Sequence, residues 1–163
     1  MDDILRALGH LALGSRLKRL GEQLQSDTQA LLDALDPAVP SGQHPFLAAL
    51  DRLGPLTVGD LAQALGVSQP GVTRTVARLV ERGLAEAKPG PEDQRQKIVS
   101  LTAAGRQLVE TAKGDLWPRI DAAVAELCRD LPGPLLAQLT AIEDRLASEP
   151  LHRRAARQRD GIQ

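Results

Sequence analysis

Aromatic side chains are almost absent from this sequence of 163 residues, which contains one Phe, one Trp and no Tyr. Any hydrophobic core must therefore be built from Leu, Val, Ile and Ala. This composition favours α-helices over a β-sandwich or barrel, because strands are enriched in aromatic and β-branched residues. We expect a mostly helical protein of one domain, or of one small domain with helical extensions.

Cysteine and long apolar runs are also scarce. The single cysteine, Cys128, excludes an internal disulfide, and no apolar run approaches the roughly 20 residues that span a membrane. The opening stretch MDDILRALGH is acidic and amphipathic, and it lacks the basic-then-apolar order of a signal peptide. We therefore expect a protein of the reducing cytoplasm, with no membrane partner.

An excess of charge of one sign is missing as well, since the formal net charge is −1. The charges are nevertheless distributed unevenly. Residues 44–106 contain eight Lys and Arg residues against six acidic ones. This central excess matters for binding an anionic partner only if the cations share one face of the folded chain.

Leucines recur at steps of three and four residues near the N terminus. This spacing predicts one long amphipathic helix over residues 4–35, and the Pro and Gly content of residues 36–42 predicts a loop after it. A short helix over 44–54 comes next. Three glycines weaken the long helix, so its stability should depend on packing against another surface.

Two further short helices, separated by Gly-Val-Ser, predict a helix-turn-helix unit. Thr57 begins the first of them, with Asp60 three residues later as in a capping box, and Gly66 ends it. Ser68 is a capping residue for the second helix, which is predicted over about residues 68–82.

The next segment predicts a β-hairpin over about residues 84–101. Residues 84–88 and 96–101 have the pattern of short strands, and the Pro-rich, charged stretch between them is typical of a projecting tip. A hairpin directly after a helix-turn-helix is a wing. Arg95 lies in its tip, where it could reach a phosphate or the minor groove, with Asp93 bonding the turn or orienting Arg95. The alternative for these two residues is an ordinary exposed ion pair.

Helical patterns return after the hairpin. Thr102 begins a helix that continues past Arg106, and the pair Trp117–Pro118 predicts a kink or an interruption. Residues 131–134 predict a break, and leucines at coiled-coil-like spacing predict a last helix beyond it. The basic segment over 150–163 is expected to be a flexible tail.

The helix over 68–82 has two contrasting faces when its residues are placed at intervals of about 100°. Its apolar face consists of Val72, Val76, Leu79 and Val80. Its opposite side combines small residues with long cations, namely Pro70, Gly71, Arg74, Ala77 and Arg78. Small residues allow close approach, and Arg binds guanine edges or phosphates, so the pattern is typical of a helix that enters a DNA major groove. The alternative is a cationic face that is only solvated.

The helix-turn-helix and the hairpin contain the runs LTVGDLAQALGVSQPGVTRTVARLVERGLAE and PEDQRQKIVSLTAAG. Their LA..LG.S helix pair, VTR, L...GL, D.R and LT..G together resemble the winged helix of the MarR family of bacterial transcription regulators. The helical flanks extend the resemblance over most of the chain. Within that family, GSRLKRLGEQLQSD and the LW at 116–117 resemble the regulator half of proteins fused to an acetyltransferase domain.

The resemblance implies a fold, an assembly and a function. The fold is mostly α with a small β-hairpin: a winged helix-turn-helix over 44–106, with dimerisation helices at 1–36 and 107–149. The implied protein is a homodimer that binds double-stranded DNA at a pseudo-palindromic operator, most simply as a repressor. A cleft between the terminal helices and the winged domain often takes an anionic aromatic effector in this family. The alternative is a helical dimeric interaction module whose winged helix docks protein without reading DNA.

The resemblance also assigns the residues that contact DNA. Base-contacting and phosphate-contacting roles fall on Ser68, Gln69, Pro70, Gly71, Thr73, Arg74 and Arg78, and a wing role falls on Arg95. The sequence predicts no enzymatic activity, cofactor or metal site, because its three histidines are far apart and no catalytic grouping or phosphate loop is present. Peroxide-sensing members use a cysteine near the N terminus, whereas Cys128 is expected in the core or at a dimer interface.

Overall fold

Residues 107–120 belong to the same compact unit as the helix-turn-helix. The computed structural model describes residues 2–33, 39–90 and 96–160. The chain divides into the units Met1–Ile120 and Asp121–Gln163. The predicted dimerisation region over 107–149 thus includes residues of the first unit, because the helix that follows the wing contributes buried side chains such as Val109 to that unit.

The N-terminal helical segment is broken at Gly9. Helix α1 spans Ile4–Ala7, a 3-10 turn spans Gly9–Ala12, and α2 spans Leu13–Leu32. The predicted single helix over 4–35 is therefore wrong at its start, and its last two residues lie outside the described ranges. Gly9 has a φ of 55°, a left-handed value that glycine adopts readily and that an α-helix excludes.

The helix-turn-helix is confirmed, with α3 and a short strand before it. The elements in order are a 3-10 turn Ser41–Gln43, α3 His44–Leu53, β1 Leu56–Thr57, α4 Val58–Leu65 and α5 Gln69–Glu81. The Thr57 hydroxyl oxygen accepts the backbone N–H of Asp60 at 3.1 Å, so the predicted cap of α4 is present. The Ser68 hydroxyl oxygen accepts the N–H of Gly71 at 3.4 Å and caps α5 in the same way.

The wing belongs to a three-stranded antiparallel sheet in the order β1-β3-β2, with β2 at Ala85–Pro89 and β3 at Lys97–Leu101. The predicted hairpin strands are confirmed, whereas β1 was not predicted. Strand β1 pairs Leu56 with Val99 and Thr57 with Ile98, so the wing is tied to the start of α4. The predicted tip, with Asp93 and Arg95, lies outside the described residues.

The core under the helix-turn-helix is almost entirely aliphatic. It is formed by α3, α4, α5, the sheet and α6 (Ala103–Thr111). Its most deeply buried side chains are Val39, Leu47, Leu61, Val72, Leu79, Val99 and Val109. Helix α5 is therefore fixed from one side by apolar packing, at roughly 1.5–3 kcal/mol for each large side chain that is buried.

The helices after the wing follow the predicted order with one change. Thr102 caps α6 by accepting the N–H of Gly105 at 3.0 Å. The interruption expected at Trp117–Pro118 lies just before these residues, as a π-helical turn over Ala112–Leu116. Pro118 has no N–H to donate four residues back, so regular α-helical bonding cannot run through it. Helix α7 spans Trp117–Leu127 and α8 spans Leu135–Ser148, on either side of the predicted break.

The basic C-terminal segment, predicted as a flexible tail, is helical where the structure describes it. Helix α9 spans Leu151–Asp160. Arg154 donates from Nε to the carbonyl oxygen of Glu149 at 2.9 Å, and Arg157 forms an ion pair with the Glu149 carboxylate at 2.7 Å. Cations at the end of a helix satisfy its last carbonyl groups, and this orders the segment. Among the described residues, no helix has the length and apolar character needed to cross a membrane.

Candidate nucleic-acid interface

Helix α5 presents the predicted faces, with one exception. Val72, Val76 and Leu79 are buried, whereas the predicted contact residues on the opposite side are exposed. Val80, assigned to the apolar face, is 40% exposed. At about 100° per residue it lies some 80° from Val72, at the edge of the buried face. The exposed set consists of Ser68, Gln69, Pro70, Thr73, Arg74, Ala77 and Arg78, and Gly71 is half-buried.

The two arginines of α5 have no side-chain partners within the described part of the chain. Neither the Arg74 nor the Arg78 guanidinium forms a hydrogen bond or an ion pair with another described residue. Both groups are therefore available to an external acceptor. Each offers several donors in a planar arrangement, which matches a guanine edge or a phosphate.

The first turn of α5 offers fewer free polar groups than the sequence implies. The Thr73 hydroxyl donates to the backbone oxygen of Gln69 at 3.0 Å, so its proton is used within the helix. The Ser68 oxygen is used as the cap of the helix. Gln69 is the residue of this turn whose side-chain amide remains available, and its Nε2 lies over Gly59 of α4.

A groove of about 580 Å³ runs beside this first turn. Its walls come from the start of α4, the start of α5 and the beginning of β3, and they include Thr57, Asp60, Gln69, Thr73, Gln96 and Lys97. Lys97 was not among the residues predicted to bind DNA. The alternation of side chains along a strand is sufficient to place Lys97 on one face of the hairpin. Only the pairing of β3 with β1 shows that this face borders α5.

The opposite face of the wing carries a different arrangement of charge. Lys88 Nζ lies 2.8 Å from Glu86 Oε1, and the Ser100 hydroxyl donates to the same oxygen at 3.2 Å. The hydrogen bond from Lys88 is the main cause that lowers the pKa of the Glu86 carboxyl, and the positive charge of Lys88 acts in the same direction. The charge of Lys88 is therefore partly neutralised, unlike that of Lys97.

A separate apolar cavity of about 230 Å³ lies between α2, α3 and the residues Trp117 and Ile120. At its edge the Trp117 indole donates from Nε1 to Nδ1 of His44 at 3.3 Å. His44 is buried, and it begins α3. Within the described ranges, no three His, Cys, Asp or Glu side chains are grouped as metal ligands would be.

The fold and the exposed cationic helix define a winged helix-turn-helix protein. A family model described as the MarR family matches residues 35–96. The HTH-type transcriptional repressor NicR of Pseudomonas putida is 38% identical over 77 residues, which is 47% of this chain and 49% of that protein. The HTH-type transcriptional regulator FarR of Neisseria gonorrhoeae is 29% identical over 142 residues, which is 85% of this chain and 96% of that protein.

The fold is shared with solved structures too. A mutant MarR from E. coli complexed with operator DNA superposes with a TM-score of 0.69 at 23% identity, covering 89% of this chain and 99% of that chain. The helix-turn-helix segment is thus similar to the MarR family over residues 35–96, and the fold is similar to that of MarR over most of the chain. It spans about half the length of several curated relatives that it matches.

Proposed function

We propose that this protein is a sequence-specific DNA-binding transcription regulator, which acts as a homodimer on a pseudo-palindromic operator and represses by blocking access to the promoter. The observation that carries the proposal is the face of α5. Two arginines that have no partner among the described residues project, with several small residues, from a helix that is fixed to the core on its other side. A rigid helix with this surface can enter the major groove, and the wing beside it can contact the flanking backbone.

The relatives support this function. One is named a transcriptional repressor, and the E. coli MarR structure holds operator DNA. The site residues proposed for DNA contact are Ser68, Gln69, Pro70, Gly71, Thr73, Arg74 and Arg78, with Arg95 in the wing. The rival is a protein-docking module that keeps the fold without reading DNA.

A salt titration separates these functions. We expect the affinity for a duplex selected from random sequence to fall steeply with salt, with a log–log slope of about 0.9 for each phosphate neutralised. The variant carrying both Arg74→Ala and Arg78→Ala should lose most of this binding. Equal weak binding to all duplexes, with a flat salt dependence in the parent, would instead support the docking module.

Homodimerisation is proposed from apolar side chains that one copy leaves uncovered. In the first unit, Leu17, Leu20 and Leu24 of α2 are 40%, 56% and 40% exposed. In the second unit, Leu127 is 67% exposed and Leu136 is 77% exposed. Leucines repeated along one helical stripe are usually covered by another element or another chain. A second copy brings the same stripe, and its recognition helix would lie about one DNA turn away, roughly 34 Å.

The substitution Leu20→Glu should convert the dimer to a monomer. Each dimer carries the change twice, so at least about 3 kcal/mol of apolar burial is lost, which corresponds to a roughly hundredfold weaker association. Sedimentation across a range of protein concentrations measures this shift. Leu53→Glu is the matched control, because Leu53 is also 56% exposed but lies on α3, outside the leucine stripe. A parent that sediments as a monomer at micromolar concentration would contradict the proposed assembly.

We also propose that a small-molecule effector releases the protein from DNA. The apolar cavity beside His44 and Trp117 is the proposed binding site of this effector. The surface that lines it is almost wholly apolar, and the rings of His44 and Trp117 form part of it. A ligand that fills it would contact α2 and α3 at once. Helix α3 packs against α4, and α4 packs against α5, so a ligand that shifts α3 changes the support of the recognition helix and the affinity for DNA.

A further inference from the structure

We propose that Lys97, at the base of the wing, binds a phosphate of the DNA backbone beside the first turn of α5. This inference rests on the proposed DNA-binding function and adds to it a contact at the base of the wing rather than at its tip. Lys97 is exposed, and it lines the groove of about 580 Å³ together with Gln69 and Thr73. This groove separates the first turn of α5 from the base of the wing, so a DNA strand that contacts both of these places passes over it.

Lys97 is held in a fixed position by the sheet. It is the first residue of β3, and it pairs with Pro89 of β2. Its neighbour Ile98 pairs with Thr57, the residue that caps α4. Strand β3 is the central strand, so Lys97 is paired with β2 and the next residue, Ile98, is paired on both sides. A cation on a fixed backbone loses less conformational entropy on binding than one at a loop tip, so more of the contact energy appears as affinity.

The ammonium group of Lys97 is free to take an anion. It forms no hydrogen bond or ion pair with another described residue. It is also the one cation among the residues that line the groove, all of which the structure describes. The positive charge of this exposed Lys side chain attracts a phosphate, and its length lets it reach one. An ammonium group on a flexible side chain suits a phosphate better than a base edge, which requires donors in a fixed arrangement.

Asp60 sets where in the groove the phosphate can lie. Its carboxylate lines the same groove, and it accepts the Thr57 hydroxyl at 2.7 Å, which turns it toward the start of α4. Its negative charge repels a phosphate from that end. The backbone is thereby directed to the Lys97 side, and the charge-neutral Asp60→Asn variant should bind every duplex more tightly.

The test compares Lys97→Ala with Lys88→Ala, which removes a lysine from the opposite face of the same ribbon. The ligand is a duplex selected from random sequence by the parent protein, together with a set of its single-base variants. Affinities are measured over a series of salt concentrations. We expect Lys97→Ala to weaken binding several-fold for all duplexes alike and to reduce the salt slope by about 1. Lys88→Ala should change the slope much less, because Lys88 already pairs with Glu86 and lies on the face away from the groove.

The outcomes separate this inference from the function on which it rests. A Lys97→Ala variant with the slope and affinity of the parent overturns the phosphate contact while DNA binding stands. A loss confined to one base position also overturns it, because that pattern indicates a base contact. If the parent itself shows no salt-dependent binding to any selected duplex, the proposed function fails instead.

Discussion

Gly105→Ala is expected to destabilise the protein strongly and to weaken DNA binding with it. A Cβ at this position would lie far inside van der Waals contact with the carbonyl oxygen of Leu84, and 3.0 Å from its carbonyl carbon. The obstacle is backbone, so no side chain can turn aside to relieve it. The two segments would have to separate at a cost of about 1–3 kcal/mol or more.

The contact between Gly105 and Leu84 lies where the recognition helix, the wing and α6 meet. Thr102, which caps α6, donates its hydroxyl to the carbonyl oxygen of Gly83 at 2.6 Å. Its backbone N–H donates to the carbonyl oxygen of Leu84 at 3.1 Å. Gly83 and Leu84 connect the end of α5 to the start of β2, so moving α6 outward also moves the wing relative to the recognition helix. DNA binding should fall by more than the fraction of unfolded protein explains.

Denaturant unfolding provides the measurement, with Gly114→Ala as the control. Nothing lies within 4 Å of a Cβ built at Gly114, and its φ is not positive. That variant should keep the midpoint of the parent or raise it. An unchanged unfolding midpoint in Gly105→Ala would show that the junction yields without strain, and the geometric argument would then be wrong.

The second large effect is expected for Arg74→Ala, which should remove discrimination at one base pair of the operator. Arg74 points almost directly away from the buried Val72, and the flanking Pro70 and Ala77 are small enough for the helix to approach the groove. A bidentate contact to guanine is worth roughly 1–3 kcal/mol of discrimination. Because no acid stands three or four residues away on α5, the guanidinium has no local partner that competes with DNA.

Three variants assayed against single-base operator variants test this contact. Arg74→Ala should flatten the preference at one position. Arg74→Lys should not restore it, since an ammonium group cannot donate in the bidentate geometry. Arg52→Ala removes another exposed cation, on α3 and outside the interface, and should behave as the parent. A uniform loss of affinity in Arg74→Ala with every preference intact would mean that this residue contacts only the backbone.

Local signals in the sequence were sufficient for most of the helix-turn-helix. The caps at Thr57, Ser68 and Thr102 are confirmed because a capping residue and the N–H that it accepts lie within three residues of each other. The buried and exposed faces of α5 follow from the helical period alone. The exception is Val80, which lies at the edge of the buried face and is exposed.

The features that the sequence did not predict depend on distant partners. Strand β1 has two residues and exists only because Leu56 and Thr57 pair with a strand some forty residues later. The same pairing places Lys97 beside α5, so neither could be predicted from a local pattern. In the C-terminal segment, Arg154 and Arg157 suggest a solvated tail by composition, and their order comes from bonds to Glu149.

The π-helical turn over Ala112–Leu116 contains one residue more than an α-helix needs to bring Trp117 to its place. The N–H of Trp117 donates to the carbonyl oxygen of Ala112, five residues back instead of four. Because five residues of a π-turn and four residues of an α-helix each complete about one turn, deleting one residue here should restore α-helical bonding and leave Trp117 on the same side of the helix, beside His44 and the cavity. Deleting two residues would instead rotate Trp117 by about 100° relative to α6. Homologous chains that keep this pair should therefore include some that lack one residue in the turn and none that lack two.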